Sequence, residues 1–177
     1  MKNNIFSQTN QQKILFFLIK SPNQLYLERE IQKTIKISKA GVNFSLRDLR
    51  KKKLVSRQRR GNTYFYKVDY SDPIIKQLKI LQNVISLKPL IEKIKEEAIE
   101  IILFGSSSRG EDLLESDLDL FILANDKLLI KETIKNYKIE KRIQMIIKTP
   151  SEFLKLEKKD KVFYKEIKLG IMLYSKE

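Results

Sequence analysis

Apolar residues recur at helical spacing early in the chain. Ile14, Leu15, Leu18 and Ile19 line one side of a segment that Thr9 can cap and that runs to about Lys20. The stretch SPNQ (21–24) is turn sequence, LYL (25–27) is a short strand candidate, and 28–36 forms a second helix. Ser38 caps a third helix over 39–53, with Val42, Leu46 and Leu49 on one side. From Leu54 to Val68 two strand-like runs flank Gly61-Asn62, a pair suited to positive φ, so a tight β-hairpin is predicted.

A long helix follows over 71–98, with Asp72 as cap and Pro73 at its first position. Ile74, Leu78, Leu81 and Ile85 make an apolar seam, Pro89 breaks or restarts the helix, and Ile91, Ile94 and Ala98 continue the stripe. Such a seam serves packing within the domain or pairing with a second copy. Ile99–Phe104 reads as a strand, Gly105-Ser106 opens a turn, and 116–125 is a second strand. On that strand Asp117 and Asp119 project from one face, their Cα atoms about 6.5–7 Å apart, while Leu118 and Leu120 face the core. A further strand covers 139–149. Thr149, Pro150 and Glu152 then start a helix in which Phe153, Leu154 and Leu156 face inward. Residues 160–177 give a last helix, a stop at Gly170 and a closing strand. The expected fold is α+β, with domains at 1–70 and 99–177 joined by a linker helix at 71–98.

The absence of cysteine and histidine from all 177 residues removes disulfides, thiolate metal sites and histidine-based triads. A bound metal must accept oxygen ligands, which points to magnesium or manganese. No run approaches eighteen apolar residues, and the opening MKNNIFSQTNQQK has no apolar centre. The expectation is therefore a cytoplasmic protein without a membrane partner. Charge is unevenly placed: residues 1–70 hold 16 Lys/Arg against 4 Asp/Glu, and residues 71–177 hold 20 against 18. A polyanion suits the first part, and different chemistry the second.

Three helices, a short strand and a hairpin with a basic tip resemble the winged helix-turn-helix family over about residues 8–70. That resemblance implies double-stranded DNA as a partner. On the third helix Lys39, Asn43, Arg47 and Arg50 gather on a stripe beside the apolar one, where a recognition helix presents side chains to the major groove. Lys51 to Lys53 and the hairpin residues Arg57, Arg59 and Arg60 suit phosphates. The lysines would also sit there merely to neutralise a helix C-terminus. Tyr64 and Tyr66 suit hairpin packing.

Gly105-Ser106, Arg109-Gly110 and Ser116-Asp117-Leu118-Asp119-Leu120 resemble the signature of the polymerase-β-like nucleotidyltransferase superfamily, closest to its minimal branch. The resemblance implies a mixed α/β domain that transfers a nucleoside monophosphate from a nucleoside triphosphate, ATP foremost, to a hydroxyl on a protein or small molecule. Gly105, Ser106 and the adjacent amides would hold phosphates, with Arg109 as a further phosphate contact. Asp117 and Asp119 would be the catalytic carboxylates holding Mg2+ or Mn2+. The family's third carboxylate falls at Gln144 here, and Glu140 lies four residues away, about 13 Å along a strand. Two expectations follow. One is an enzyme, extended by analogy to an antitoxin with a HEPN-type toxin partner. The other is a transcription regulator whose degenerate transferase domain senses nucleotide or mediates association, including as a homodimer. A transferase acting on nucleic acid stands as an alternative to both.

Overall fold

The computed structural model describes residues 9–22, 24–135, 137 and 142–176. The chain divides into two compact units, with the boundary between Lys79 and Ile80.

The first unit runs α1 (Asn10–Leu18), β1 (Tyr26–Leu27), α2 (Glu28–Ile35), α3 (Lys39–Lys51), β2 (Ser56–Arg60) and β3 (Thr63–Lys67). Thr9 begins α1 with a reciprocal cap: its hydroxyl accepts from the Gln12 amide, and its own amide donates to Gln12 Oε1 at 2.8 Å. Ser38 accepts from the Gly41 amide at the start of α3. The strands form an antiparallel sheet in the order β1-β3-β2, and Gly61 turns the hairpin with a φ of 58°. Ile14, Leu18, Ile31, Val42, Leu46 and Leu49 fill the core beneath.

α4 (Pro73–Ile94) differs from expectation in two ways. It continues through Pro89, which lies on the exposed side while Leu87, Leu90, Ile91 and Ile94 pack into the core around it. Its buried stripe is also not the predicted seam. Ile74 and Leu81 are exposed; the buried stripe is Ile75, Lys79, Asn83, Leu87, Leu90 and Ile94, of which the pattern included only Ile94. Two of those six are polar, which shifts the apparent apolar stripe to the wrong side of the helix. Lys79 Nζ is buried against the end of α1, donating to the Ile19 carbonyl at 2.9 Å and the Lys20 carbonyl at 3.4 Å. A cation suits the partial negative charge of a helix C-terminus.

The second unit contains β4 (Ala98–Phe104), α5 (Gly105–Ser108), β5 (Leu118–Ala124), α6 (Lys127–Lys135), β6 (Ile143–Lys148), α7 (Pro150–Lys159), α8 (Lys161–Lys168) and β7 (Ile171–Ser175). Its mixed sheet has the order β6-β5-β4-β7; β5 is antiparallel to β4 and parallel to β6, and β7 is antiparallel to β4. One face carries Ile101, Leu103, Leu118, Leu120 and Ile122 against α4 and α6. The other carries Ile102, Phe104, Phe121 and Leu123 against α7 and α8. Strand alternation thus buries both faces. Asp117 stands just ahead of β5, whereas the sequence pattern includes it in the strand. Glu140 lies outside the described residues. Leu154 is exposed, because Phe153 and Leu156, three apart, already form the inner face of α7. Gly170 serves a close approach: a Cβ there would lie 2.6 Å from the Leu103 carbonyl. Among the described residues, no helix is long and apolar enough to cross a membrane.

Thr149 caps α7 reciprocally with Glu152, whose carboxylate also accepts from Lys127 Nζ at 2.6 and 2.7 Å. The lysine hydrogen bond, followed by the Thr149 amide, pulls the Glu152 carboxyl from its ordinary 4.5 down to about 2. A depressed carboxyl stabilises the fold above its unfolded value and loses that contribution as pH falls through the folded one. Glu152→Gln keeps the cap but removes the charge. Its denaturation midpoint should lie below wild type at neutral pH, and the two should converge between 4.5 and about 2. A constant difference across that window would contradict the ion pair.

Candidate functional site

The site begins where β4 ends. The antiparallel register pairs Phe104 with Asp119, and the chain then turns at Gly105 with a φ of 68°. A Cβ at Gly105 would stand 2.5 Å from Asp119 Oδ2. The carboxylate therefore rests directly on the glycine backbone, in space that any side chain would occupy, and the positive φ independently favours glycine. Leu118 and Leu120 are buried on the opposite face, so the pleat aims Asp119 at the turn.

Asp117 is tied to the same turn by its backbone, its carbonyl accepting from Ser107 Oγ at 3.2 Å. Its carboxylate lies 3.9 Å from the exposed Arg142 guanidinium. Burial raises the Asp119 carboxyl above its ordinary value, and the negative charges of Asp117 and Glu166 raise it further. Across the parallel pairing with β6, Asp119 faces Gln144. The register thus puts a neutral amide beside Asp119, at the position where the family resemblance implies a third carboxylate.

Glu166 was not foreseen from sequence. It lies on α8 between Phe163, whose ring meets Phe104 edge-on at 5.7 Å, and the buried Ile167. Arg109 links it to the turn, with Nη1 3.8 Å from Glu166 and Nε 3.1 Å from Glu111. The expected phosphate contact is thus held by two carboxylates. The only sequence signal for Glu166 is its place between two apolar residues of an amphipathic helix.

Among the described residues, no group of three or more carboxylate, histidine or cysteine side chains is arranged to hold a metal. Magnesium, however, is commonly bound by one or two carboxylates, with phosphates and water as the other ligands. Asp117, Asp119 and their hard oxygen donors fit such an ion when a phosphate group accompanies it.

In the first unit, Lys39, Asn43 and Arg47 are exposed along α3, Lys51 is exposed at its end, and Arg50 is half-buried. Phe44 is 58% exposed on the same helix, with Arg47 5.6 Å from its ring centre; the apolar stripe of the sequence gave no reason to expect it. On the hairpin, Arg57 lies 4.0 Å over Tyr64 and Arg60 5.7 Å from Phe65. Arg59 is folded onto its own turn, donating to the Gly61 carbonyl at 2.8 Å and to Asn62 Oδ1 at 3.4 Å. Tyr66 is buried as hairpin packing predicts, but Tyr64 is exposed beneath Arg57.

The raised Asp119 carboxyl has a thermodynamic consequence. Its ionised form costs the folded state stability at neutral pH, and the cost disappears once the group is protonated in both states. Without divalent metal, Asp119→Asn should melt above wild type at pH 7. That gain should shrink on acidification and vanish below the ordinary carboxylate value of 3.8. A melting temperature below wild type at pH 7 would contradict the crowding of negative charge.

Residues 75–177 match the family described as Polymerase beta, Nucleotidyltransferase. No match was found among curated proteins. Of solved structures, a point mutant of ZitR from Lactococcus lactis is 18% identical; the alignment covers 55% of this chain and 68% of that one, with a TM-score of 0.38. The family match covers more than half of the length and contains Gly105, Asp117 and Asp119: the chain belongs to the polymerase beta nucleotidyltransferase family.

Proposed function

We propose that the second unit binds a magnesium (or manganese) nucleoside triphosphate, ATP foremost, and transfers its nucleoside monophosphate to a hydroxyl of a protein or small molecule. The observation that carries this reading is the Asp119 carboxylate laid on the side-chain-free backbone of Gly105. It puts an anionic oxygen ligand beside the turn that would receive phosphates. Asp117 and Asp119 would hold the metal, which when bound supplies positive charge to the oxygens of the reacting phosphate. Gly105 allows close approach, Ser106 lies half-buried in the turn, and Arg109 can exchange a carboxylate for a phosphate. In the transfer, the acceptor hydroxyl gives its proton to solvent as its oxygen bonds to the α-phosphorus, the bond from that phosphorus to the bridging β-phosphate oxygen breaks, and pyrophosphate leaves.

Gln144 favours a second reading. An amide cannot take the acceptor's proton, and it adds no charge beside Asp119. On this reading the unit binds metal and nucleotide as a sensor or association module of a transcription regulator. An antitoxin acting on a HEPN-type toxin is the extension of the transfer reading in which the acceptor is a protein.

We further propose that the first unit is a winged helix-turn-helix that binds double-stranded DNA. Support comes from its excess of basic residues and the exposure of Lys39, Asn43 and Arg47 along α3. Arg57 and Arg60 extend the basic surface along the hairpin, and Lys51 and Arg50 continue it at the helix end. Exposed Ile74 and Leu81 on α4 offer a surface to a second copy, as a paired half-site requires.

With α-labelled ATP and magnesium, label should move to an acceptor, and Asp117→Asn or Asp119→Asn should abolish the transfer. In the wild-type chain, magnesium-dependent ATP binding without transfer would favour the sensor, and absence of both would overturn the nucleotide reading. Binding to duplex DNA should weaken steeply with salt. The double substitution Arg57→Ala and Arg60→Ala should reduce the log–log salt slope by about 0.9 for each phosphate that these arginines neutralise. A salt-insensitive affinity would contradict the DNA reading.

A further inference from the structure

The nucleotide-binding turn is held from behind by a residue outside the family's signature. Asn83, on α4, is 6% exposed, and its two contacts in the turn, Ser107 and Asp112, are 0% exposed. Its side-chain amide donates to the Ser107 carbonyl at 3.1 Å and to Asp112 Oδ1 at 2.9 Å. Both hydrogens of one NH2 group are thereby used, which is what makes a buried amide tolerable on the stripe that Leu87, Leu90 and Ile94 continue further along the helix. A leucine at this position would continue the apolar stripe without needing either partner.

The bond to Ser107 completes a pattern. The Gly105 carbonyl accepts from Ser108 Oγ at 2.8 Å, and the Ser106 carbonyl accepts from the amides of Arg109 and Glu111 at 3.2 and 2.9 Å. Asn83 supplies the donor for Ser107. Three successive carbonyls are therefore anchored, and each planar peptide carries its N–H on the side opposite its carbonyl. The first two anchors come from within the turn or just beyond it, and the third comes from a helix.

We propose that Asn83 is a positioning residue for the nucleotide. By gripping the Ser107 carbonyl and the Asp112 carboxylate, it sets the pitch of the Gly105–Ser108 turn against Asp119. This inference rests on the reading of that turn as the nucleotide site. Neither Asn83 nor Asp112 touches the nucleotide; their effect passes through the backbone.

The test uses the full chain with magnesium-ATP as probe, titrated calorimetrically at a temperature below the melting transition of every variant. Asn83→Ala should weaken the dissociation constant about tenfold, equivalent to about 1.4 kcal/mol. Asn83→Asp should weaken it at least as far, because a carboxylate cannot donate to Ser107 and would face the carboxylate of Asp112. Ile94→Val removes a buried methyl from the same helix, distant in sequence from the turn contacts, and should leave the affinity unchanged while lowering the melting temperature. The exchanged pair, Asn83→Asp with Asp112→Asn, restores one hydrogen bond and should recover part of the affinity that Asn83→Asp removes.

Wild-type affinity in Asn83→Ala and Asn83→Asp would overturn the inference and leave the nucleotide reading intact. An equal loss in Ile94→Val would also overturn it, by showing that affinity follows global stability. If the single Asn83 variants do not fold, the exchanged pair decides: affinity below wild type supports the role, because the Ser107 carbonyl has lost its donor, and wild-type affinity overturns it. Failure of the wild-type chain to bind magnesium-ATP would overturn the nucleotide reading and this inference together.

Discussion

The second unit depends on how β4 pairs with β5. Because the strands are antiparallel and Phe104 stands opposite Asp119, the last residue of one strand and the first carboxylate of the other meet at one end of the sheet. The chain must turn there without a side chain, since Asp119 already occupies that space, so Gly105 is required by contact as well as by its positive φ. Shifting the register by one residue would send Asp119 into the face that α4 and α6 bury and expose Leu118 or Leu120 in its place. The hydrophobic core and the acidic site therefore hold the same register.

Around that contact the two layers of helices have different roles. α4 and α6 bury one face of the sheet, and α4 also grips the back of the turn through Asn83. α7 and α8 bury the other face, and α8 brings Glu166 close enough to add to the negative potential on Asp119. Arg109 lies between Glu111 and Glu166, partly balancing that charge. A site with two aspartates and a nearby glutamate is short of positive charge, which on the proposed function a divalent cation would supply. The first unit has the opposite imbalance, with exposed cations along α3 and arginines lying over hairpin aromatics.

Local rules carried much of the architecture. The caps at Thr9, Ser38 and Thr149, the Gly61-Asn62 turn, and the alternation of Leu118, Asp119 and Leu120 each depend on neighbours within a few residues, and each stands where pattern and chemistry placed it. The small-residue turn and Asp119 on its strand were equally legible, as was Gln144 beside it, whereas Asp117 stands just ahead of the strand in which the pattern includes it. What was not legible depends on partners far along the chain. The buried stripe of α4 includes Lys79 and Asn83, and a hydrophobicity pattern cannot show that a lysine is buried against the carbonyls of α1. Pro89 suggested a break, but packing on either side of it outweighs the missing backbone bond. Glu166 looks like any solvated glutamate until α8 is laid across the sheet. Arg109 looked like a phosphate ligand, and its two carboxylate neighbours come from Glu111 nearby and Glu166 on α8.

On the proposed function, the Gly105–Asp119 contact forms a metal-dependent nucleotide site. Its most direct measurement is a crystal structure of the full chain grown with Mn2+ and a non-hydrolysable ATP analogue, with manganese located by anomalous scattering. The account predicts an anomalous peak bridging Asp117 and Asp119, with the triphosphate against Gly105 and Ser106. Manganese elsewhere, or a nucleotide bound away from this turn while Asp119 still rests on Gly105, would contradict it.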